Sequence, residues 1–247
     1  MSNRALHSVT IAVAAALVAG TAAAQNDSAA ANGSSPEKHH AAARHVAYRP
    51  EILVDDAVLA IGKLKRDAHA AQLLERARGV LIVPHYVKAA ALVGGAGGSG
   101  VLLLQNEGKW SDPAFYHVGG GSIGLQAGGE AGPIALLLMN DKAVDAFKSR
   151  KSSWSLDGSA GLTLVNYSAA GQESAGNGDV VLWSGTEGVF GGASVGVRNI
   201  RRDEHSDRAY YGRDVKTDQI LTGQVSNPHE DNAKLLHDVM PLRVASR

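Results

Sequence analysis

The chain has 247 residues, 24 Lys and Arg against 24 Asp and Glu, 29 Gly and no Cys. A balanced charge lacks the basic excess that nucleic-acid binding usually requires, and without cysteine there is neither a disulfide framework nor a lipid-anchored N-terminal cysteine. Abundant glycine with few aromatic residues and no collagen period suggests tightly curved sheet, where missing side chains let backbones approach one another.

In chain order, residues 1–8 are polar with Arg4 the only basic side chain, Val9 to Ala19 is apolar and uncharged, and Ala22, Ala23 and Ala24 are small. That pattern reads as a signal peptide over residues 1–24, cleaved before Gln25. Its apolar run is too short for a hydrocarbon core of about 30 Å. A periplasmic or secreted location is therefore expected, and the 223 residues beyond Ala24 suit one large domain. Residues 25–49 are Ala, Ser, Gly, Asn and His with little apolar bulk. Such a segment buries too little surface to offset its ordering entropy and reads as a linker. A single domain is expected over 50–247.

From Pro50 the pattern turns helical. Val54, Val58, Ile61 and Leu64 recur at three- and four-residue steps, with Lys63 and Arg66 on the opposite face. Ala71, Leu74 and Ala77 place a second helix over 68–78, ended by Gly79. The period then shifts to strands. Val80 to Val83 is a buried run closed by Pro84, followed by Val87 to Val93, Val101 to Leu104, Ser122 to Ala127 and Ile134 to Met139. Leu162 to Val165, Val180 to Trp183 and Val189 to Val197 continue the series. Asp141 to Ser149 interrupts it as a helix capped by Asp141, with Val144 and Phe147 inward. Lys216 to Leu221 and Asn227 to Met240 are helical again. Trp110, Phe115, Trp154, Trp183 and Phe190 are the large aromatics expected in the core or at its rim.

Three motif matches carry little chemistry. Gly95 to Gly100 fits G-x-G-x-x-G, but a strand follows it where a dinucleotide site needs a helix. A hairpin turn between two buried strands is the expected reading. Ser122 and Ser194 each sit in G-x-S-x-G, yet a nucleophile elbow needs a following helix and both lie in strand patterns. His39, His40 and His45 fall in the linker without an ordered further ligand, so no metal site and no cofactor are expected.

The cations carry more. Lys63, Lys65 and Arg66 gather at the end of the first helix. Arg198, Arg201 and Arg202 open a second cluster that runs through Arg208 and Arg213, interleaved with Asp203, Glu204 and Asp207. A helix with cations beside its apolar face can lie on an anionic membrane, each cation near the surface contributing about 1 kcal/mol. The ordinary alternative is a solvated helix face packed on the sheet.

The order of segments then resembles a known family. Ala77 to Pro84, the glycine run of Gly94 to Gly100, Gly108 to Pro113, Gly119 to Gly128, Glu187 to Gly192, Tyr210 to Arg213 and Ile220 to Gly223 are together similar to the bacterial SYLF domain, over about residues 71–223. The resemblance implies binding rather than catalysis. Eukaryotic relatives attach to phosphoinositide membranes and yeast relatives bind actin filaments, whereas an exported chain would not meet actin. The expectation is an α+β fold, a curled, barrel-like antiparallel sheet with N-terminal helices packed on it and a C-terminal helix. Its expected function is non-enzymatic binding of anionic phospholipid surfaces in the cell envelope, through Lys63, Lys65, Arg66, Arg198, Arg201 and Arg202. The alternative is a structural or stress-related envelope protein that docks a protein partner.

Overall fold

Helix α1 spans Pro50–Leu64 and begins on a proline, whose missing N–H is one of the donors a helix leaves unpaired at its start. It buries Leu53, Val54, Ala57, Ala60, Ile61 and Leu64 on one face. Helix α2, Ala68–Arg76, is capped by Asp67, whose carboxylate accepts from the backbone N–H of His69 at 3.0 Å and of Ala70 at 3.1 Å. It ends two residues before the sequence pattern suggests. The reason is that Arg78 already belongs to the sheet, its N–H donating to Leu138 O at 2.7 Å.

These elements come from a computed structural model that describes residues 49–90, 93–123, 128–149, 154–156, 162–167, 178–185, 187–188 and 197–241. All of them fall in one unit, His45–Arg247. The strands are β1 (Gly79–Ala90), β2 (Val93–Asn106), β3 (Lys109–Trp110), β4 (Ala114–Ile123), β5 (Gly128–Leu138), β6 (Leu164–Asn166), β7 (Val180–Ser184), β8 (Glu187–Gly188) and β9 (Arg198–Arg202). They form one curled sheet in the order β6-β7-β5-β1-β2-β4-β9, with β3 added to β2 and β8 to β5. The expected α+β class and half-barrel curl hold. The all-antiparallel expectation does not quite hold, because β6 runs parallel to β7.

Two further corrections share one cause. Pro84 does not close the first strand, since β1 runs through it to Ala90. A proline cannot donate to the ladder, and the register slips there, between Ile82 and Val87 against β2 and between Val83 and Tyr86 against β5. The glycines of 94–100 are not a hairpin turn either. Ala90 of β1 pairs with Gly94, and those glycines lie inside β2. A Cβ at Gly98 would stand 2.6 Å from His85 O, and one at Gly100 would stand 2.5 Å from Ile82 O. The bulge around Pro84 presses backbone onto β2, and only glycine leaves room.

The core fills from both sides of the central strands, with Leu81, Ile82, Leu102, Leu103, Phe115, Leu136 and Leu137 fully buried. Trp110, Trp154 and Trp183 join it, while Phe190 lies outside the described residues. Helix α3, Asp141–Ser149, buries Val144 and Phe147 as expected, but its cap is Asn140. The Asn140 side chain accepts from Ala143 N–H at 3.0 Å, leaving Asp141 to pair with Arg78 at 2.6 Å. Three helices close the chain: α4 (Glu204–Tyr211), α5 (Thr217–Leu221) and α6 (Glu230–Val239). The last begins later than its apolar pattern because Asn227 Oδ1 accepts from His229 N–H at 2.8 Å, a turn that occupies the residues ahead of the helix. Ser122 lies in β4 opposite Gly94, in a strand with no elbow; Ser194, His39, His40 and His45 lie outside the described residues.

Candidate functional site

The face of α1 turned from the core carries Ile52, Asp56, Leu59 and Lys63, spaced three or four apart so that they line one stripe, and Arg66 follows just past the helix end. Two of them are large apolar side chains in solvent, Ile52 at 45 % and Leu59 at 72 % exposure. Helix α6 lies alongside. Asn232 Nδ2 donates to Asp55 Oδ1 at 2.7 Å near the helix starts, and Lys65 Nζ donates to Val239 O at 3.0 Å near their ends. The two helices therefore run in the same direction, and Leu235 of α6, 55 % exposed, falls between those ties as Leu59 does. On the other flank Asp56 Oδ2 meets His85 Nε2 at 2.9 Å, joining α1 to β1, where Val87 is exposed.

Charge is polarised along this surface. Glu51 stands in the first turn of α1, beside Arg49, and Glu230 and Asp231 in the first turn of α6, where the positive helix end favours carboxylates, and Asp55 follows one turn along α1. The cations gather at the opposite end. Lys63 Nζ donates to Gly185 O at 2.6 Å, and Lys65 answers a terminal carbonyl of α6. The Arg66 side chain makes no hydrogen bond or ion pair among the described residues and is exposed. Besides this face, an open depression of about 430 Å³ lies at the start of α6, lined by Asn227 to Asn232.

The second set of cations is placed differently. Arg201 is exposed on β9 opposite His117, and Arg198 stands opposite Gly119. Arg202 turns inward: its guanidinium donates to Lys148 O and its Nε is buried without a partner. Burial pushes the Tyr116 hydroxyl up to about 12 even with the Arg202 charge beside it. The six residues thus form two groups. Lys63 meets the residue after β7, whereas β9 closes the other end of the strand order.

Sequence reasoning missed the exposed apolar residues, although Ile52 and Leu59 are seven apart and off the buried stripe, a visible signal. It also missed the polar cluster beneath β9. Asp207 is fully buried, accepting from Phe115 N–H and from Thr217 Oγ1, each at 2.9 Å. Burial raises its carboxyl to about 7, outweighing those hydrogen bonds. Among the described residues no group of three His, Cys, Asp or Glu could hold a metal ion. Among them, too, no helix is long and apolar enough to cross a membrane.

Residues 119–240 match the family described as Ysc84, Las17-binding protein actin regulator. An SH3 domain-containing protein of Schizosaccharomyces pombe is 31% identical over 162 residues, 63% of this chain and 37% of that protein. Bovine SH3 domain-containing YSC84-like protein 1 is 28% identical over 177 residues, 69% of this chain and 50% of its own length. Protein YSC84 of Saccharomyces cerevisiae is 30% identical over 162 residues, 63% of this chain and 34% of that protein. The chain thus spans half or less of each of these three relatives. No solved structure matches it.

Proposed function

Because the chain belongs to the Ysc84/SYLF family, we propose that it binds anionic phospholipid surfaces through the outward face of α1 and α6. The observation that carries this reading is the coincidence of Ile52, Leu59 and Leu235 in solvent with Lys63, Lys65 and Arg66 at one end of the same helix pair. Large apolar side chains held out of the core gain by shallow insertion at a headgroup boundary, and the adjacent cations draw the surface in. Arg66 and Lys65 do most of the steering. Lys63 is half-buried on Gly185 and orients the helix end. Arg201 forms a separate exposed cation, and Arg202 is held inside the fold. The reading of segment 1–24 as an export signal supports a setting in the cell envelope for this activity.

Liposome flotation across a salt series tests the reading. Flotation with anionic vesicles alone, fading as salt shortens the screening length from about 8 Å at 0.15 M, is expected. Flotation that is equal on zwitterionic vesicles, or absent from both, defeats it. A second reading has its own support, since the matching family is described as Las17-binding. An exposed apolar pair between two helices also suits a protein partner. That reading expects no flotation and a partner whose capture resists salt.

A further inference from the structure

At the far edge of the sheet, three side chains that no sequence motif joins form a continuous hydrogen-bonded chain. Ser99 Oγ of β2 lies 3.1 Å from His117 Nδ1 of β4, the two residues being direct cross-strand partners. His117 Nε2 lies 2.9 Å from Asp203 Oδ2, at the start of α4. Asp203 is fixed in turn by Ser206, whose N–H donates at 3.1 Å and whose hydroxyl donates at 2.7 Å. Exposure falls along the chain: the His117 side chain is 33 % exposed and that of Asp203 only 10 %. Burial raises the Asp203 carboxyl, but the hydrogen bonds from His117 and Ser206 outweigh it and hold it well below the usual carboxylate range.

With Asp203 ionised and the imidazole neutral, His117 carries its proton on Nε2 to donate to the carboxylate, which leaves Nδ1 as the acceptor and Ser99 as the donor. That polarity is the one by which a base readies a hydroxyl nucleophile, with a third group orienting the base.

Little side-chain bulk stands beside the chain on β2 and β4. One pleat along β2, on the side-chain face of Ser99, Gly97 pairs with Gly119, giving a floor of bare backbone. Asn199 borders it, its Nδ2 lying 3.6 Å from where a Cβ on Gly119 would stand. Asn199 holds a φ of 55°, a left-handed conformation that asparagine tolerates, at the place where the register between β4 and β9 shifts. Arg201, opposite His117, adds an exposed positive charge.

We propose that Ser99, His117 and Asp203 form an acyl-transfer site that hydrolyses carboxylic esters laid over the Gly97–Gly119 floor. This activity is separate from the surface reading and does not rest on it. Ser99 Oγ forms a bond to the acyl carbon while its proton passes to His117 Nδ1. Collapse of the tetrahedral adduct breaks the ester C–O bond, and His117 returns the proton to the departing alcohol. Water, deprotonated by the same nitrogen, then attacks the acyl-serine and releases the carboxylic acid, restoring Ser99. Asp203 is a positioning residue that keeps the tautomer.

The test treats the full chain with a fluorophosphonate, maps the adduct by mass spectrometry and measures p-nitrophenyl butyrate turnover. A single adduct on Ser99 is expected, with adduct and turnover both abolished in Ser99→Ala at unchanged melting temperature. His117→Ala should lose at least 100-fold in kcat and regain part of it with added imidazole. Asp203→Asn should lower kcat with KM little changed. Labelling elsewhere, no labelling of the folded chain, or turnover equal in Ser99→Ala overturns the proposal.

Discussion

Asp207 makes the fold sensitive to pH. Its carboxylate ties the start of β4 to α4 and α5, and among the described residues no cation bonds to it directly. Burial lifts its folded-state value to about 7 from 3.8. Between about pH 4 and 7 the folded chain therefore keeps a proton that the unfolded chain has lost, so stability declines as pH rises through that window. The slope reaches at most about 1.4 kcal/mol per pH unit, one proton's worth. Asp203 works in the opposite sense but below pH 4, so the two windows do not overlap. Asp207→Asn keeps both hydrogen bonds, since an amide can accept from Phe115 and donate to Thr217. Chemical denaturation from pH 4 to 8 should show the wild-type decline flattened in this variant. An unchanged slope would mean that another group carries the proton. None of this was legible in the sequence, where Asp203, Glu204 and Asp207 read as acids interleaved with arginines. The partner of Asp207 on β4, Phe115, is distant along the chain.

Elements were more legible than residues, and the failures have a common source. Periodicity located α1, α3 and most strands because their buried faces repeat within the element itself. It stopped β1 at Pro84 and turned the glycine run into a hairpin because both signals were read as local punctuation. Their real setting is a contact between neighbours: the bulge at Pro84 projects backbone carbonyls at β2, and Gly98 and Gly100 make room for them. The two glycines are thus required by their neighbours rather than by φ. Gly98→Ala and Gly100→Ala should each destabilise the chain by about 1–3 kcal/mol, the usual range for overpacking against atoms that cannot move aside. Gly95→Ala is the internal control, since a Cβ there meets nothing within 4 Å. Denaturant midpoints for the three variants check this. Equal effects at all three positions would assign the cost to strand entropy instead of contact.

Across the whole molecule, the two cation clusters that the sequence offers as one binding set have different surroundings in the fold. Lys63, Lys65 and Arg66 end a helix pair that also holds out Ile52, Leu59 and Leu235. Arg201 stands on β9, and among the described residues no exposed large apolar side chain lies on β9 or on α4 beside it. Charge alone gives attraction that salt screens, whereas apolar insertion adds a contribution that salt leaves intact. Only the helix pair combines both. Lys65→Glu with Arg66→Glu should therefore reduce flotation on anionic vesicles at least tenfold at low salt, while Arg201→Glu should leave it within about twofold; each lost surface cation accounts for about 1 kcal/mol. Leu59→Glu with Leu235→Glu should abolish the part of binding that survives high salt and, being exposed, should leave the melting temperature nearly unchanged. If Arg201→Glu were as damaging as the helix-end pair, β9 would have to face the vesicle too. Attraction would then be spread over the domain's charge, and the apolar face of α1 and α6 would be left for a protein partner.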